Sequence, residues 1–474
     1  MNNNYNKINK IINGDYMNSF QYFLQLTKIP RPSGKEEKIA NWLIKTISKM
    51  GYKVVKDKYQ NVIAYVDNGK DKTVILEAHT DMVCESKIGT KFNFDKSGIN
   101  TYIQGDYITA IDTTLGADDG YGVALILNVL EHNTSKYPNI IAVFTTQEET
   151  SMDGAKNLDF SKIQADYMLG LDGTESNDIT ISCACGIFLE LEKEIKLNQQ
   201  KCNVYELTLS NCLSGHSGEE IHKNRANAIK EIFKFLSQIN ADIISVNGGT
   251  KDNVIPSTCT VQFRSDDNVE TKLNDYIAQF KTTYPEEKYA QFNLCAYENK
   301  ECNIIENSND IVKYINKFDN GVLVYDKNTQ LPLTSINLAK INIVGNKIII
   351  NAMFRSNLDN QDEYKEAYIS KAKEYKFNLV KSNYAPLYTS LNNQQLTDIC
   401  VDTYKSLFES TPKLSNIHAG LEGGVFANNI PGLQCVTLGA DLNDIHTINE
   451  RMKISSLVKL EKWIDAILKM LNLK

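Results

Sequence analysis

The stretch Thr73-Val74-Ile75-Leu76-Glu77-Ala78-His79-Thr80-Asp81 decides the fold class of this chain. It is a largely apolar run of strand length that leads directly into a histidine and an aspartate. Similar apolar runs occur at Asn139 to Phe144, Tyr167 to Leu171 and Gln434 to Leu438. Apolar residues at helical spacing between Gly120 and His132 separate the first two runs. Because strands that alternate with helices form parallel sheets covered by helices, we predict an α/β fold with three layers and a mostly parallel central sheet.

A helix is predicted ahead of these strands. Ser33 to Glu36 has the spacing of a capping box, and apolar residues continue at helical spacing from Ile39 to Met50, until Gly51. We expect an ordinary packing helix whose first turn is capped by Ser33 and Glu36.

The composition argues against several classes of function. The chain has 474 residues, of which 42% are hydrophobic and 23% charged, and its formal net charge is −7. These values are typical of a folded protein with more than one domain.

A mildly acidic chain has no electrostatic attraction to nucleic acid or anionic lipid. Residues 1–15 contain no apolar stretch of signal-peptide length, and no run is long enough to span a bilayer. We therefore predict a cytoplasmic protein that binds neither nucleic acid nor membrane.

The ten cysteines are scattered along the chain, and only Cys183 and Cys185 lie close together. Because no CxxC pair is present, neither a zinc ribbon nor a disulfide scaffold is indicated. We expect reduced, buried thiols.

The sequence pattern changes between about Ile187 and Asn383. This region contains predicted strands and amphipathic helices, but its strands are not followed by polar motifs like those of the first domain. We predict an inserted α+β domain over residues 187–385. This insert separates the two parts of the first domain, residues 1–186 and 386–474.

Two segments of the insert resemble each other, Val261 to Asn268 and Ala352 to Asn360. Each precedes a polar helical stretch. The insert therefore consists of two related halves or contains a chance match over few positions, and the sequence leaves both alternatives open.

Potential metal-ligating side chains follow three of the predicted strands. They are His79 and Asp81, Glu148 and Glu149, and Asp172. Because ligand sites in open α/β sheets form beyond the carboxyl ends of the strands, we expect these residues to meet in one crevice. The glycine-flanked acidic turn at 116–120 is a fourth contributor. Taken singly, each residue is more often a cap, a turn residue or a solvated charge, so it is their common βαβ arrangement that favours a site.

These motifs resemble those of a known family in order and spacing. His79-Thr80-Asp81, Gly116-Ala117-Asp118, Glu148-Glu149, Asp172 and His446 are similar to the motifs of the co-catalytic zinc exopeptidases, which include aminoacylases and carnosinases. Longer phrases resemble the bacterial aminoacyl-histidine dipeptidase branch, and the resemblance runs from about Leu26 to the C-terminus. These phrases are Thr114 to Gly120, Met152 to Ala155, Gly215 to Gly218, Asn253 to Pro256 and His418 to Glu422.

The resemblance implies a catalytic domain with two zinc ions bridged by Asp118. One ion would also bind His79 and Asp172, and the other Glu149 and His446. Imidazole and carboxylate ligands suit Zn²⁺ on independent grounds, and Mn²⁺ or Co²⁺ are possible substitutes.

The same resemblance assigns roles to the residues beside the ligands. Asp81 would accept the second imidazole N–H of His79 and fix its tautomer. Glu148 would be the general base that moves a proton from water to the leaving amine. The chain departs from the family pattern at Asp119, where its relatives have an amide, and this adds a possible negative charge beside the metals.

In the insert, which the resemblance makes a lid domain, His216 resembles the lid histidine that stabilises the oxyanion. Asn253 and Arg355 resemble the positions that bind the free carboxylate of the substrate. Glu422 is a further substrate-contact candidate. Arg264, by contrast, is interpreted as an ordinary arginine at the end of a strand.

The sequence thus predicts a zinc metallopeptidase that hydrolyses dipeptides, with aminoacyl-histidine (Xaa-His) substrates favoured. An aminotripeptidase or an N-acyl amino acid deacylase would use the same metals, and a non-catalytic peptide-binding protein is a third interpretation. The presence of every ligand, of Asp81 and of Glu148 argues against the last. We expect a monomer or homodimer, hinges near Gly186 and near Asn383 to Pro386, and a site completed within one chain by the second half of the insert.

Overall fold

The protein is described by a computed structural model, in which the chain divides into two compact units. The first unit contains the described residues up to Cys183 and those within 388–417 and 421–474. The second contains the described residues within 184–387 and 418–420. The described residues are 18–327, 331–358, 361–385 and 393–473.

The first part of the first unit alternates between helices and strands. Its elements are α1 (Ser19–Leu26), α2 (Glu37–Lys49), β1 (Lys53–Lys56), β2 (Val62–Val66), β3 (Thr73–His79), β4 (Thr101–Gln104), β5 (Tyr107–Ala110), α3 (Ala117–Glu131), β6 (Asn139–Thr145), α4 (Asp153–Lys156), β7 (Tyr167–Gly173) and β8 (Asp178–Cys183).

The second unit consists of long strands with helices between them. Its elements are β9 (Cys185–Glu194), β10 (Leu197–Ser210), α5 (Ala228–Leu236), β11 (Ala241–Gly248), β12 (Cys259–Ser265), α6 (Val269–Thr283), β13 (Gln291–Ile305), α7 (Ser308–Lys317), β14 (Gly321–Tyr325), β15 (Pro332–Val344), β16 (Lys347–Ser356), α8 (Gln361–Glu374) and β17 (Asn378–Ala385).

The chain then returns to the first unit. The elements there are α9 (Gln394–Phe408), β18 (Lys413–Ile417), α10 (Glu422–Asn429), β19 (Gln434–Gly439), β20 (Leu442–Asn443), β21 (Arg451–Lys453) and α11 (Ile454–Leu471).

The main sheet of the first unit has the strand order β1-β2-β6-β3-β7-β19-β8-β18. Its central strands are parallel, since β3 pairs in parallel with β6 and β7, and β7 pairs in parallel with β19. These strands are buried on both faces, which explains why their sequences are almost continuously apolar. The predicted parallel sheet is therefore confirmed. A small antiparallel sheet, β20-β21-β5-β4, adjoins it in sequence.

Helices cover both faces of this sheet, which gives the predicted three layers. Successive side chains of a strand point to opposite faces. Val74, Leu76 and Ala78 accordingly contribute to a core with α1, α2, α3, α9 and α11. Ile75 contributes to a second core with α4 and α10.

The strands β7 and β19 approach each other closely at their carboxyl ends. Gly439 pairs with Gly173, and a Cβ atom on Gly439 would lie 2.1 Å from the carbonyl carbon of Gly173. A side chain at either position would therefore separate the two strands. Two glycines thus keep Asp172 and the segment that follows β19 at the same edge of the sheet.

The second unit is an antiparallel sheet in the order β13-β10-β12-β11-β15-β16-β9-β17, with β14 paired to β15. Helices α5, α6, α7 and α8 contribute to its core. This arrangement is the α+β fold predicted for the insert. Each of the two similar sequence segments lies on a strand that is followed by a helix, β12 with α6 and β16 with α8. Asp359 and Asn360 of the second segment fall outside the described residues. Residues 386–392, beside the predicted domain boundary, also fall outside them.

Two sequence-based predictions are wrong in detail. Helix α2 begins near the predicted position, but residue 36 makes no side-chain cap to it. Ser33 instead donates a hydrogen bond to Asp81 Oδ2 at 2.7 Å, because the tertiary structure brings that carboxylate within reach. The ten thiols are free, but not all are buried, since Cys295 is exposed and Cys84 and Cys202 are half-buried.

In the part of the chain that the structure describes, no helix is both long and apolar enough to cross a membrane.

Candidate active site

The five ligands predicted from the sequence lie at one edge of the parallel sheet. His79 ends β3, Asp172 lies near the end of β7, and Glu149 lies in the turn after β6. Asp118 stands in the first turn of α3, just after Gly116, which adopts a left-handed conformation. His446 follows β20, also in a left-handed conformation. Parallel strands bring their carboxyl ends to the same edge, and this is why His79, Glu149 and Asp172 meet there.

Asp118 is the centre of this cluster. Its Oδ1 lies 3.0 Å from His79 Nε2, and its Oδ2 lies 3.1 Å from His446 Nε2. His79 Nε2 also lies 3.8 Å from Asp172 Oδ1, and His446 Nε2 lies 3.0 Å from Glu149 Oε1. The two oxygens of one carboxylate therefore face two separate groups of side chains, each made of one histidine and one acid.

The donor set fits a divalent metal. His79, Asp118 and Glu149 each offer a ligand atom, and these atoms lie within 4.8 Å of one another. Imidazole nitrogen and carboxylate oxygen are the ligands that zinc, manganese and cobalt sites use in proteins. The candidate metal site therefore includes residues from both groups around Asp118.

The charges of the cluster also favour cations. Burial opposes ionisation of Asp118, but the hydrogen bonds from His446 and His79 hold its pKa well below the usual range. Burial by itself would lower the pKa of His446. The hydrogen bonds and charges of Asp118 and Glu149 have the larger effect and raise this pKa to about 10. Burial and the charge of Asp118 raise the pKa of Asp172. Acidic groups so close together in a buried place are stabilised by positive charge.

Asp81 connects one ligand to the turn that holds another. Its Oδ1 lies 3.5 Å from His79 Nδ1 and accepts a hydrogen bond from the Glu148 N–H at 3.1 Å. Its Oδ2 accepts from the Glu149 N–H at 3.3 Å and from Ser33. Burial acts against ionisation, but these hydrogen bonds lower the pKa of Asp81. The carboxylate thus fixes the position of the His79 ring and of both glutamates.

Glu148 has the properties of a proton acceptor. Burial and the nearby charges of Glu149 and Glu422 raise the pKa of its carboxyl group to about 8, although His79 acts in the opposite direction. A carboxyl group with a pKa near neutrality can both accept and release a proton at physiological pH.

Comparison with known proteins agrees with this geometry. Residues 75–470 match the model of peptidase family M20/M25/M40. The chain belongs to this family. It is therefore a hydrolase of peptide bonds.

The similarity to individual members of the family extends over almost the whole length of this peptidase. The cytosol non-specific dipeptidase of Escherichia coli (strain K12) is 30% identical over 458 residues, which are 92% of this chain and 93% of the relative. The crystal structure of aminoacylhistidine dipeptidase from Vibrio alginolyticus has a TM-score of 0.77 at 27% identity and covers 96% of both chains. The aminopeptidase PepT of Bacillus cereus ATCC 10987 has the same fold, with a TM-score of 0.57 at 18% identity over 96% of this chain and 98% of that one. The predicted resemblance to the aminoacyl-histidine dipeptidase branch is confirmed.

Arg31 is a buried residue of the peptidase site that the sequence does not reveal. Its Nη1 donates to the carbonyl oxygens of Thr80 and Asp81 at 2.9 Å each, and its Nη2 donates to that of Gly116. One guanidinium therefore joins the segment after β3 to the turn that carries Asp118. In the sequence, Arg31 stands between two prolines, and nothing in its surroundings indicates this role.

Glu450 supports the same turn from the other side. Its carboxylate accepts hydrogen bonds from the backbone N–H groups of Leu115 at 2.7 Å, Gly116 at 3.0 Å and Ala117 at 2.7 Å. Burial and the charge of Asp118 raise the pKa of Glu450, and the backbone hydrogen bonds oppose this. The sequence offers no signal for the role, because the partners are backbone groups.

Three further acids lie buried behind the ligands. Glu422 accepts a hydrogen bond from Thr145 Oγ1 at 2.5 Å and bonds to Glu77, and burial raises the pKa of Glu77 to about 7. Burial and Glu77 also raise the pKa of Glu422. Asp119 accepts from the Gly122 N–H at 3.2 Å, and burial raises its pKa well above the usual value. Burial thus disfavours the charged form of Asp119, which opposes the additional negative charge that its sequence position suggests.

The second unit brings together the other three predicted site residues. Arg355 Nη2 lies 3.3 Å from His216 Nε2. The backbone of His216 forms an isolated bridge with Val254, and the Ser217 N–H donates to the Asn253 carbonyl oxygen at 2.8 Å. His216 and Arg355 are therefore neighbours, and the exposed Asn253 lies on the segment that pairs with the histidine.

We expect Glu450→Gln to weaken metal binding without unfolding the protein. An amide has one oxygen for the backbone N–H groups that two carboxylate oxygens now satisfy, so the turn that holds Asp118 loses support. Such partners of ligands typically contribute about 10–100-fold to metal affinity. The affinity for Zn²⁺ can be measured by competition with a chelator, with the exposed Glu298→Gln as the matched control. Equal affinities in the two variants would contradict the role of Glu450.

Proposed function

We propose that this peptidase hydrolyses dipeptides, with Xaa-His substrates preferred, and that it uses two zinc ions bridged by Asp118. The observation that supports this most directly is that each oxygen of the Asp118 carboxylate faces a different histidine. His79 and Asp172 would hold one ion, and Glu149 and His446 the other. Mn²⁺ and Co²⁺ suit the same ligands, and availability decides between them.

When bound, the metal pair would polarise the scissile carbonyl group and lower the pKa of a water molecule. Glu148 would accept a proton from the attacking water and then donate it to the leaving amine. One hydrogen bond positions its backbone, since the Glu148 N–H donates to Asp81 Oδ1. Burial raises the pKa of its carboxyl group, which favours uptake of a proton. Asp81 also keeps the His79 ring in the orientation that presents Nε2 to the metal.

We expect Glu148→Gln to retain zinc and lose nearly all turnover. The amide has almost the shape of the carboxyl group but cannot accept the proton, and loss of a general base typically costs about 10²–10⁴-fold in kcat. Hydrolysis of carnosine and zinc content should be measured on the same preparation. The adjacent Glu149→Gln is the matched comparison, since it should lose zinc as well as activity. Turnover of Glu148→Gln near that of the unchanged protein would refute the assignment.

Arg355 is proposed to bind the free carboxylate of the dipeptide. Its side chain is only 6% exposed, and its Nε has no hydrogen-bond partner among the described residues. Burial lowers its pKa to about 10. The charge of Glu219 acts against this shift, but among the described residues no carboxylate forms an ion pair with Arg355. The carboxylate of a substrate would satisfy the buried guanidinium well. Arg264, at the end of β12, differs in this respect because Asp242 and Asp266 pair with it.

The remaining assignments follow from the same family resemblance. His216 would stabilise the oxyanion, with Asn253 assisting in carboxylate binding. The role of Glu422 as a substrate contact remains a prediction. Its buried position and its hydrogen bond from Thr145 favour instead a role in holding the residues around the ligands in place. We also propose a cytoplasmic enzyme, as the name of the E. coli relative states for that protein, and a monomer or homodimer.

We expect Arg355→Met to abolish discrimination by the substrate's carboxylate. The unchanged enzyme should prefer a dipeptide over its C-terminal amide by about 100-fold in kcat/KM, since charge-assisted hydrogen bonds contribute about 1.5–3 kcal/mol each. The variant should hydrolyse both compounds equally slowly. Arg264→Met should keep the preference, because that arginine already has acidic partners. A preserved preference in Arg355→Met would show that another group binds the carboxylate.

The choice among substrates is tested directly by a panel of carnosine, other dipeptides, tripeptides and N-acetyl amino acids. We expect the highest kcat/KM on dipeptides, consistent with the dipeptidase names of the E. coli and Vibrio relatives. Preference for tripeptides would indicate an aminotripeptidase, and preference for N-acetyl amino acids a deacylase. Absence of turnover in zinc-loaded protein would indicate a peptide-binding protein.

A further inference from the structure

Two cysteines of the second unit are in direct contact. Cys202 lies on β10 and Cys302 on β13, and their Sγ atoms are 2.9 Å apart. The two strands form a long antiparallel pair in which Cys202 stands opposite Lys300, and Cys302 stands opposite Gln200. A register shift follows Cys202 in this ladder. The thiols are therefore diagonal neighbours across two strands, although they are 100 positions apart in the sequence.

The position in the sheet makes one thiol of this pair accessible. Strand β13 is at the edge of the sheet, and most of its residues are exposed. Cys202 is half-buried, whereas Cys302 is 8% exposed and packs in a small apolar cluster with Val204 and Ile304. An edge strand can also shift more easily than a central strand, which would allow the two side chains to reach the geometry of a disulfide.

We propose that Cys202 and Cys302 form a reversible disulfide when the protein meets a hydroperoxide. The thiolate of Cys202 attacks one peroxide oxygen, which breaks the O–O bond and gives a sulfenic acid and an alcohol. The thiolate of Cys302 then attacks the Cys202 sulfur, which forms the S–S bond and releases water. Overall, two thiols and one hydroperoxide give one disulfide, one alcohol and one water, so the sulfurs lose the two electrons that the peroxide gains.

Exposure and charge explain the order of these steps. Cys202 is the more exposed thiol and therefore reacts with the peroxide first. Burial and the bond to Cys202 raise the pKa of the Cys302 thiol to about 11, which makes it a poor first nucleophile. The positive charge of Lys300 acts in the opposite direction and favours the thiolate that the second step requires. Thiols of low-molecular-weight reductants would reverse the reaction by exchange.

The disulfide would stabilise the second unit without changing the peptidase reaction. Ser210, which ends β10 and precedes the segment with His216, is eight residues beyond Cys202, or roughly 26 Å along an extended strand. Cross-linking β13 to β10 closes a long loop and restricts the unfolded chain. The oxidised protein should therefore unfold at a temperature higher by about 5 °C.

The test is to treat the folded, full-length protein with cumene hydroperoxide and to map its peptides without reduction. We expect a linked peptide that contains Cys202 and Cys302, an intact mass lower by two hydrogen atoms, the higher unfolding temperature, and full reversal by dithiothreitol. Cys202→Ser and Cys302→Ser should each abolish the linked peptide. Cys295→Ser is the matched control, because Cys295 is exposed on the same strand, and this variant should behave as the unchanged protein.

Other outcomes would overturn the proposal. Oxidation of Cys295 to higher oxides while Cys202 and Cys302 remain free thiols would show that the contact is not reactive. A disulfide between a different pair would show the same. Because the readout is covalent, the result does not depend on whether the protein cleaves dipeptides.

Discussion

The structure of the first unit depends on one electrostatic constraint, which is the concentration of acidic side chains around the Asp118 carboxylate. Buried carboxylates repel one another and are costly away from water, so they persist only where positive charge or hydrogen-bond donors meet them. Here the two oxygens of Asp118 face His79 and His446, and each histidine faces a second acid. The same arrangement places the imidazole and carboxylate donors that a divalent metal site uses close together.

The rest of the site serves to hold that carboxylate in place. Its turn is held by Arg31 and Glu450, which bind backbone carbonyl and N–H groups. Asp81 performs the same function for the turn that carries Glu148 and Glu149. All three side chains are buried, where charge-assisted hydrogen bonds are strong and where leaving a partner unsatisfied costs most.

Environment gives chemically identical carboxyl groups different roles. Asp81 and Asp118 have hydrogen-bond donors and histidines beside them, and their pKa values are lowered. Glu77 and Asp119 are buried with fewer such partners, and their pKa values are raised. Burial therefore makes ionisation of Glu77 and Asp119 less favourable than that of Asp81 and Asp118. Glu148, whose pKa is near neutrality, lies between these two groups and is suited to proton transfer.

The sequence by itself determined the parallel sheet and the residues at its edge, because an apolar strand and the polar residues that follow it are neighbours along the chain. The motifs that identify the family are local in the same way. Tertiary structure alone decided which groups support them. Arg31 meets Gly116 across 85 positions and Glu450 meets Leu115 across 335, and both bind backbone atoms, which have no sequence signature. Ser33 illustrates the same limit: its spacing indicates a helix cap, but its hydroxyl bonds to Asp81, since a buried carboxylate 48 positions away is the stronger acceptor.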